Sequence, residues 1–415
     1  MKSFNIYTLG CKVNQYDSLL LGKKLISLGM KKVYKNADLA IVNTCAVTKA
    51  AISKDKRILI KARKENLKAK IAVIGCWPQV YKNEALAIGA DFVCGKKGVD
   101  KLLKKISQLP LKQPVFSSCQ NNKTINNKEK SRYFIKVQDG CEQYCSYCII
   151  PYARGRLKSR GVKEIIKEVE NAVRQGRLEI VVSGIHLGLY GKDFKNKRIN
   201  LAGLLRELIK IKNLGRIRLS SIEVTEISAE LIELFKTNKI CPHFHIPLQS
   251  GSNRILKKMN RPYDRNFFKS IIRKLKKAAP DIALTTDIIV GFPGETDCDF
   301  KETKKFIKEI NFSKLHIFPF SAHEKTPAAK MDKKVKKDLI FKRAKILRDL
   351  SIKLERHYKN KFKNRKLEVA VAAKVAAGLW KGRTEYSFDA EFKENQIVSP
   401  RNKILPGALI EIISN

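Results

Sequence analysis

The sequence predicts an α/β protein in three parts: an amino-terminal parallel-sheet domain, a central βα series and a small carboxy-terminal all-β barrel. Three observations carry this expectation. Short β-type runs alternate with helical ones in two separate blocks, a polar stretch without periodicity divides the blocks, and the end of the chain alternates with period two. The 415 residues are 44% hydrophobic and 30% charged, which excludes a wholly disordered or collagen-like chain and allows more than one core.

In chain order, the first block places strands at Ser3–Leu9, Leu39–Asn43, Lys70–Ile74 and Asp91–Val93. Helical segments fall at Ser18–Leu28, near Ala50–Lys64 and at Asn83–Ile88. Such alternation implies βαβ units around a parallel sheet, expected over residues 1–107. Residues 108–131, rich in Gln, Asn, Lys, Ser and Pro, read as a linker. The second block, expected over residues 132–363, has strand-like runs at Tyr133–Gln138, Ile180–Ser183, Ile217–Ile222, His243–Pro247, Ile282–Val290 and Lys314–Phe318. A series of this kind suggests a partial or complete βα barrel, or a large doubly wound sheet. A Lys-rich helix follows from Lys333 to about Lys363, with Val335, Leu339, Ile346 and Leu350 at helical spacing and a solvated basic face. In residues 364–415, the alternation of Leu367, Val369 and Val371, then Tyr386 and Phe388, then Ile404 to Ile413 around Pro406-Gly407 reads as a small β-barrel.

The charge balance narrows the partners. With 85 Lys and Arg against 39 Asp and Glu, the formal charge of +46 attracts polyanions, and nucleic acid is the obvious one. A Lys-, Asn- and Ile-heavy composition from an AT-rich genome would inflate Lys without any such role. Met1 to Thr8 contain no long apolar run, and nowhere do ~18 apolar residues follow one another without charge, so neither secretion nor a membrane partner is expected and the location is cytoplasmic.

Ten cysteines in such a chain point to metal or redox chemistry rather than to a disulfide framework. In Cys141-Glu-Gln-Tyr-Cys145-Ser-Tyr-Cys148, three thiolates can reach three corners of one 4Fe-4S cube and leave the fourth iron open to a substrate or cofactor. Structural zinc is the alternative. It would want a fourth ligand, and the closest histidine, His186, is far along the sequence. Cys11, Cys45 and Cys76 each follow the strand of a successive βα unit, so in a parallel sheet they can converge on one edge and hold a second cluster. Buried cysteine is also common in strand-end loops. Cys94 reads as structural despite following a strand, and Cys119, Cys241 and Cys298 match no ligand pattern.

The CxxxCxxC spacing, with aromatic Tyr147 before the last cysteine, resembles the radical S-adenosylmethionine superfamily. The resemblance implies that the open iron chelates S-adenosylmethionine, which one electron cleaves into methionine and a 5′-deoxyadenosyl radical. The segments Tyr7-Thr-Leu-Gly-Cys11-Lys-Val-Asn14-Gln-Tyr-Asp-Ser18, Asn43-Thr-Cys45-Ala-Val-Thr48 and Gly75-Cys76 resemble the amino-terminal domain of the methylthiotransferase family. That resemblance covers nearly the whole chain. It implies a flavodoxin-like amino-terminal domain with an auxiliary 4Fe-4S cluster on Cys11, Cys45 and Cys76, a radical cluster on Cys141, Cys145 and Cys148, a radical SAM partial βα barrel, and a TRAM-like RNA-binding barrel at residues 364–415.

Further matching pieces are Leu219-Ser-Ser-Ile-Glu223, His245-Ile-Pro-Leu-Gln-Ser-Gly251, Asn260-Arg261 and Thr286-Asp-Ile-Ile-Val-Gly-Phe-Pro-Gly-Glu295. By analogy, Tyr147, Ser183, Gly184, Glu223 and Gln249 would line the S-adenosylmethionine site, the last four at the barrel's strand ends, where βα barrels keep their chemistry. Each has a structural alternative, as do Gly291 and Gly294 around Pro293, and His243 and His245 on their strand. One segment departs from the family: where it usually continues Ala-Arg-x-Gly-Thr-x-Ala after Pro319-Phe320-Ser321, this chain has Ala322-His323-Glu324-Lys325-Thr326-Pro327-Ala328, so His323 stands in place of Arg.

Short motifs separate the family's substrates. Gly10–Asn14, Cys145–Gly155 and Gly184–Gly188 resemble the enzymes that act on N6-threonylcarbamoyladenosine in tRNA. The isopentenyladenosine enzymes usually have Gln-Met after the first cysteine and those acting on ribosomal protein S12 have Pro-Lys, whereas this chain has Lys12-Val13. The resemblance therefore implies a tRNA methylthiotransferase that converts threonylcarbamoyladenosine at position 37 into its 2-methylthio derivative. Its partners would be the tRNA anticodon loop, S-adenosylmethionine and an electron donor such as flavodoxin or ferredoxin. Tyr386 or Phe388 would be available to stack on bases. The alternatives are the two other substrates and, from another class, a non-catalytic RNA-binding iron–sulfur protein.

Overall fold

The computed structural model describes residues 1–108, 132–195, 199–399 and 404–414, so the linker expected at 108–131 and Cys119 lie outside the described residues save for residue 108. The described residues gather into two compact units. One is drawn from residues 1–108, 140–156 and 321–329, the other from 132–139, 157–320 and 330–414.

The first unit is built on β1 (Ser3–Thr8), α1 (Lys12–Ser27), β2 (Lys31–Lys32), β3 (Leu39–Thr44), α2 (Lys49–Glu65), β4 (Lys70–Gly75), α3 (Cys76–Val80), α4 (Lys82–Leu86), β5 (Phe92–Gly95) and α5 (Val99–Gln108). Its five strands are parallel in the order β2-β1-β3-β4-β5, the flavodoxin-like order. Every residue of β3 is buried, as expected of a central strand covered on both faces. On one face Phe4, Leu39, Ile41 and Ile74 pack against Leu21 and Leu25 of α1 and Leu102 and Ile106 of α5. On the other, Val42, Ile71 and Val73 pack against α2, α3 and α4, and also against Ile149 and Ala153 at the short helix α6 (Ile150–Arg154). The segment that follows Cys148 therefore shares this core. Helix α1 starts six residues earlier than its apolar periodicity suggests, because Cys11 takes the extended N-cap position directly after β1.

The second unit holds β6 (Tyr133–Lys136), the antiparallel pair β7 (Gln138–Asp139) and β8 (Lys158–Ser159), α7 (Val162–Arg174), β9 (Glu179–Ser183), α8 (Leu201–Ile209), β10 (Arg216–Leu219), α9 (Ala229–Glu233), β11 (His243–His245), α10 (Asn253–Lys258), α11 (Arg265–Ala278), β12 (Ala283–Val290), α12 (Asp297–Ile310), β13 (Lys314–Pro319) and α13 (Lys337–Asn360). Two three-stranded parallel sheets, β10-β9-β6 and β11-β12-β13, are joined by the parallel bridges Ile217↔Ile240 and Ser221↔His245. The series thus runs in sequential order with helices between, a partial βα barrel as expected. On α13 the buried stripe is Ala344, Leu347, Ser351 and Tyr358. Ile346, expected on it, is exposed, because the helix presents the neighbouring row of its i, i+3, i+4 pattern to β13.

The chain ends in β14 (Lys366–Ala376), β15 (Leu379–Thr384), β16 (Asp389–Lys393), β17 (Ile397–Ser399) and β18 (Leu409–Ile413), an antiparallel sheet in the order β16-β15-β14-β18-β17. Its core is Phe362, Leu367, Val369, Val371, Phe388, Phe392, Ile410 and Ile412. Phe388 is thus a core residue and not a stacking platform, and the Tyr386 ring lies 4.3 Å from that of Phe362. Beneath the sheet, Glu179 of β9 is fully buried between Arg216 and Arg218 of β10, which donate to its two carboxylate oxygens at 2.7 and 2.8 Å. The same guanidinium groups reach the backbone oxygens of Glu368, Arg383, Thr384 and Glu385, so one ion cluster fastens the terminal sheet to the barrel strands. Burial alone would raise the Glu179 carboxyl, but Arg218 and Arg216 hold it well below the usual carboxylate range. Removing one partner of a buried cluster leaves uncompensated charge. Glu179→Ala is expected to lower stability by about 3–5 kcal/mol, read as a shift in the urea unfolding curve.

Candidate active site

Three adjacent strands deliver the first cysteine trio. Cys11 follows β1, Cys45 follows β3 and Cys76 follows β4, all at the carboxyl edge of the parallel sheet where its strand order reverses. The register Thr44↔Gly75 sets Cys45 beside Cys76, and Thr8↔Asn43 brings Gly10 opposite Cys45. Gly10 has a φ of +90°, and a Cβ there would come within 2.8 Å of the Cys45 Cβ and 3.0 Å of its Sγ. Gly75, at φ +103°, would meet the Asn43 Oδ1 at 2.6 Å and the Thr44 carbonyl at 2.7 Å. Both glycines in the quoted motifs are therefore positions where a side chain would displace the cysteine loops.

The polar residues of those motifs act as scaffold. Asn14 Nδ2 donates to the carbonyls of Leu9 (2.9 Å) and Thr44 (2.8 Å), and Asn43 Nδ2 donates to the Asn14 carbonyl (3.0 Å) and to Ser18 Oγ (2.9 Å). Thr48 caps α2 by accepting from the Ala51 N–H. Behind Cys45 lies Asp55, fully buried, whose Oδ2 accepts the Cys45 N–H at 3.0 Å. Burial pushes that carboxyl up to about 7, partly offset by the same N–H. Nothing in the sequence marks Asp55, which sits in a run of lysines on α2.

The second trio occupies the same compact unit. Cys145 is buried, Cys141 and Cys148 are half-buried, and Tyr147 lies between the last two cysteines. The loop closes on itself, since the Cys141 N–H donates to the Gly155 carbonyl at 3.0 Å and the Cys148 N–H to the Cys145 carbonyl at 2.9 Å. Its outgoing helix α6 is anchored in the core beside Ala46, Cys76 and Trp77. Arg154, at the end of α6, donates to Asp17 Oδ2 at 2.8 Å and to Asn14 Oδ1.

His323 also belongs to this unit. Its Nε2 lies 3.0 Å from the Val47 carbonyl, which can only accept, so the proton is on Nε2 and Nδ1 accepts from the Tyr81 hydroxyl at 2.9 Å. Ser321 Oγ accepts the Lys49 N–H at 2.9 Å, and the Ala328 N–H donates to the Ser146 carbonyl at 2.8 Å. The departing segment thus binds the backbone after Cys45 at one end and the backbone after Cys145 at the other.

The donor sets suit iron–sulfur clusters. Burial first, and then the neighbouring Cys76 and Cys11 thiols, push Cys45 up to about 12, so it stays a thiol on its own and becomes a thiolate ligand where a metal takes the sulfur and releases the proton to solvent. A zinc ion draws its ligands onto one point. Thiolates on three corners of a cube hold different irons and surround a larger body.

In the second unit, the residues expected near S-adenosylmethionine lie along one rim. Ser183 ends β9 and Gly184 follows it, Glu223 follows β10 and pairs with Arg261, and Gln249 follows β11. Gln249 adopts a φ of 65°, held by its N–H to the Asp287 carbonyl (2.8 Å) and by the Ile289 N–H to its own (2.9 Å). His186 Nε2 meets Glu226 Oε1 at 2.5 Å, and burial raises that carboxyl. His243 is buried against Thr285 Oγ1, and His245 bonds the same hydroxyl while its Nε2 lies 3.1 Å from Asp287. Cys94 lies within β5 and Cys241 is fully buried, and burial pushes both up to about 11; Cys298 is exposed on α12.

A family profile described as the Radical SAM superfamily matches residues 135–307, and one described as Uncharacterized protein family UPF0004 matches residues 3–95. The fold is also that of a solved radical S-adenosylmethionine methyltransferase, TsrM from Kitasatospora setae, at 14% identity and a TM-score of 0.60 over 79% of this chain and 77% of that one. These matches define a radical S-adenosylmethionine protein, a class that carries a 4Fe-4S cluster and S-adenosylmethionine. A Bacillus subtilis (strain 168) protein named threonylcarbamoyladenosine tRNA methylthiotransferase MtaB is 40% identical over 89% of this chain and 84% of its own. A tRNA-2-methylthio-N(6)-dimethylallyladenosine synthase of Alkaliphilus oremlandii (strain OhILAs) is 36% identical over 87% and 81%. The chain belongs to the radical S-adenosylmethionine methylthiotransferase family.

Gly10→Ala is expected to displace Cys45 and, where the Cys11, Cys45 and Cys76 thiolates hold a cluster of their own, to leave roughly half the wild-type iron after anaerobic reconstitution. Iron assay and visible absorption read this directly. Burial holds the folded pKa of His323 below the ordinary imidazole range. The unfolded chain then takes the proton first, so stability declines as pH falls below ~6.5. Urea midpoints between about pH 7.5 and 5 should fall with pH, and fall less in His323→Gln.

Proposed function

We propose that this chain is a tRNA methylthiotransferase that converts N6-threonylcarbamoyladenosine at position 37 into its 2-methylthio derivative. The observation that carries the reading is the placement of both cysteine trios in one compact unit on a shared core. The motifs at Gly10–Asn14, Cys145–Gly155 and Gly184–Gly188 and the name of the Bacillus relative support the substrate.

Cys141, Cys145 and Cys148 hold the radical cluster, and Cys11, Cys45 and Cys76 hold an auxiliary one. When bound, the clusters and S-adenosylmethionine supply the radical chemistry needed to open an unactivated C2–H bond of adenine, together with an open iron for sulfur. The chain's own residues do the rest. The strand-end loops hold thiolates in a desolvated setting, Asn14, Asn43 and Asp55 fix the loop backbones, and Tyr147, Ser183, Gly184, Glu223 and Gln249 bind and orient S-adenosylmethionine. Lysine and arginine meet tRNA phosphates, which makes binding steeply salt-dependent, and the terminal sheet contributes as a TRAM-like RNA-binding module. A small electron carrier such as flavodoxin or ferredoxin serves as reductant in the cytoplasm. No described helix is long and apolar enough to cross a membrane.

Nucleoside mass spectrometry of tRNA from a host lacking its own enzyme, with and without this gene, tests the reading. The 2-methylthio form of threonylcarbamoyladenosine should appear with the intact chain and be absent with Cys141→Ala or Cys11→Ala. Methylthiolation of isopentenyladenosine instead would move the substrate. Unchanged tRNA from a cluster-loaded protein would turn attention to ribosomal protein S12, and absence of any S-adenosylmethionine cleavage would leave an RNA-binding iron–sulfur protein.

A further inference from the structure

The short helix α6 does more than close the radical-cluster loop. Its last residue, Arg154, has a side chain only 2% exposed, yet it carries a full charge into the core of the first unit. One guanidinium nitrogen, Nη1, donates to Asp17 Oδ2 at 2.8 Å, and the other, Nη2, donates to Asn14 Oδ1. Asn14 is not a passive acceptor. Its own Nδ2 donates to the carbonyls of Leu9 and Thr44, at 2.9 and 2.8 Å, and these residues stand two before Cys11 and one before Cys45. On the other side, the residue after Arg154 accepts the Cys141 N–H through its carbonyl. Arg154 and Asn14 together therefore link the backbone beside Cys141 to the backbone beside both Cys11 and Cys45.

We propose that Arg154 is a positioning residue for the transfer reaction, setting the separation of the Cys141–Cys145–Cys148 loop from the Cys11 and Cys45 loops through Asn14 and Asp17. This inference rests on the function proposed above. The planar fork of arginine suits the task, since its two ends can donate at once to an amide oxygen and a carboxylate in a fixed geometry. Lysine is a point charge on a flexible stem and can hold Asp17 or Asn14 with less constraint. A shift of ~1 Å between reacting groups can cost on the order of a hundredfold in rate, so a clamp between two ligand loops matters even though it touches no substrate.

The test compares wild type with Arg154→Lys, Arg154→Ala and Asp17→Asn in the reconstituted full-length protein, with tRNA, S-adenosylmethionine and dithionite. Two products are counted in the same reaction: 5′-deoxyadenosine, and the methylthio nucleoside from digested tRNA. A positioning role predicts that 5′-deoxyadenosine released per methylthio nucleoside rises by about tenfold or more in Arg154→Lys at equal iron content. It also predicts altered spin–spin coupling between the two reduced clusters by electron paramagnetic resonance. A merely structural residue would lower both products together and leave their ratio at the wild-type value, and that result overturns the proposal. Amide hydrogen exchange of the metal-free protein gives an independent reading, with lost protection at residues 9–14 and 44–46 expected in Arg154→Lys and unchanged protection counting against it. Arg154→Lys keeps the test open should Arg154→Ala fail to fold. If the wild type modifies no tRNA at all, the functional reading falls, and the exchange and spin-coupling results still decide whether Arg154 sets the loops.

Discussion

Burial of Ile149 and Ala153 against Ala46, Cys76 and Trp77 is the contact on which the candidate site depends. Ile149 caps the short helix that follows Cys148 and Ala153 lies near its end, while Ala46 and Trp77 follow Cys45 and Cys76 directly. A five-residue helix has little stability of its own, because nucleation costs more than so few hydrogen bonds return. It forms because its apolar side meets a finished core. Through that packing the Cys141–Cys148 loop becomes part of the flavodoxin-like unit, and both cysteine trios acquire one common frame.

The polar links reinforce the same frame from outside the core. Arg154 reaches Asn14 and Asp17, and His323, Ser321 and Ala328 span from the backbone after Cys45 to that after Cys145. His323 illustrates how a departure from a family pattern can be structurally coherent. A neutral imidazole offers one donor and one acceptor, and here the donor meets a carbonyl while the acceptor meets a hydroxyl. A cation at this place would have no use for the hydroxyl's proton.

The second unit answers a different physical problem. Parallel strands gather their functional residues at one rim, so the opposite ends of β9 and β10 are free to serve stability. Glu179, Arg216 and Arg218 use them to seat the terminal sheet. The charges neutralise one another, and the remaining donors satisfy backbone oxygens that would otherwise be buried without partners.

The alternation of β and helical runs was enough to place the parallel strands of both βα blocks, since period-two and period-3.6 patterns are local properties of the chain. The strand-end placement of Cys11, Cys45 and Cys76 followed from the same alternation, and the CxxxCxxC spacing pointed to a cluster because three closely spaced thiolates can reach one cube. Other features were decided only by the tertiary fold. The start of α1 at Cys11, the buried row of α13, the loss of Phe388 to a core and the roles of Asp55 and Arg154 all depend on partners many residues away. No local pattern distinguishes an aspartate in a lysine-rich helix that will be buried behind a cysteine from one that will face water. The membership of residues 140–156 and 321–329 in the first unit belongs to the same class. It arises from apolar burial and from hydrogen bonds between distant segments, which chain order does not encode.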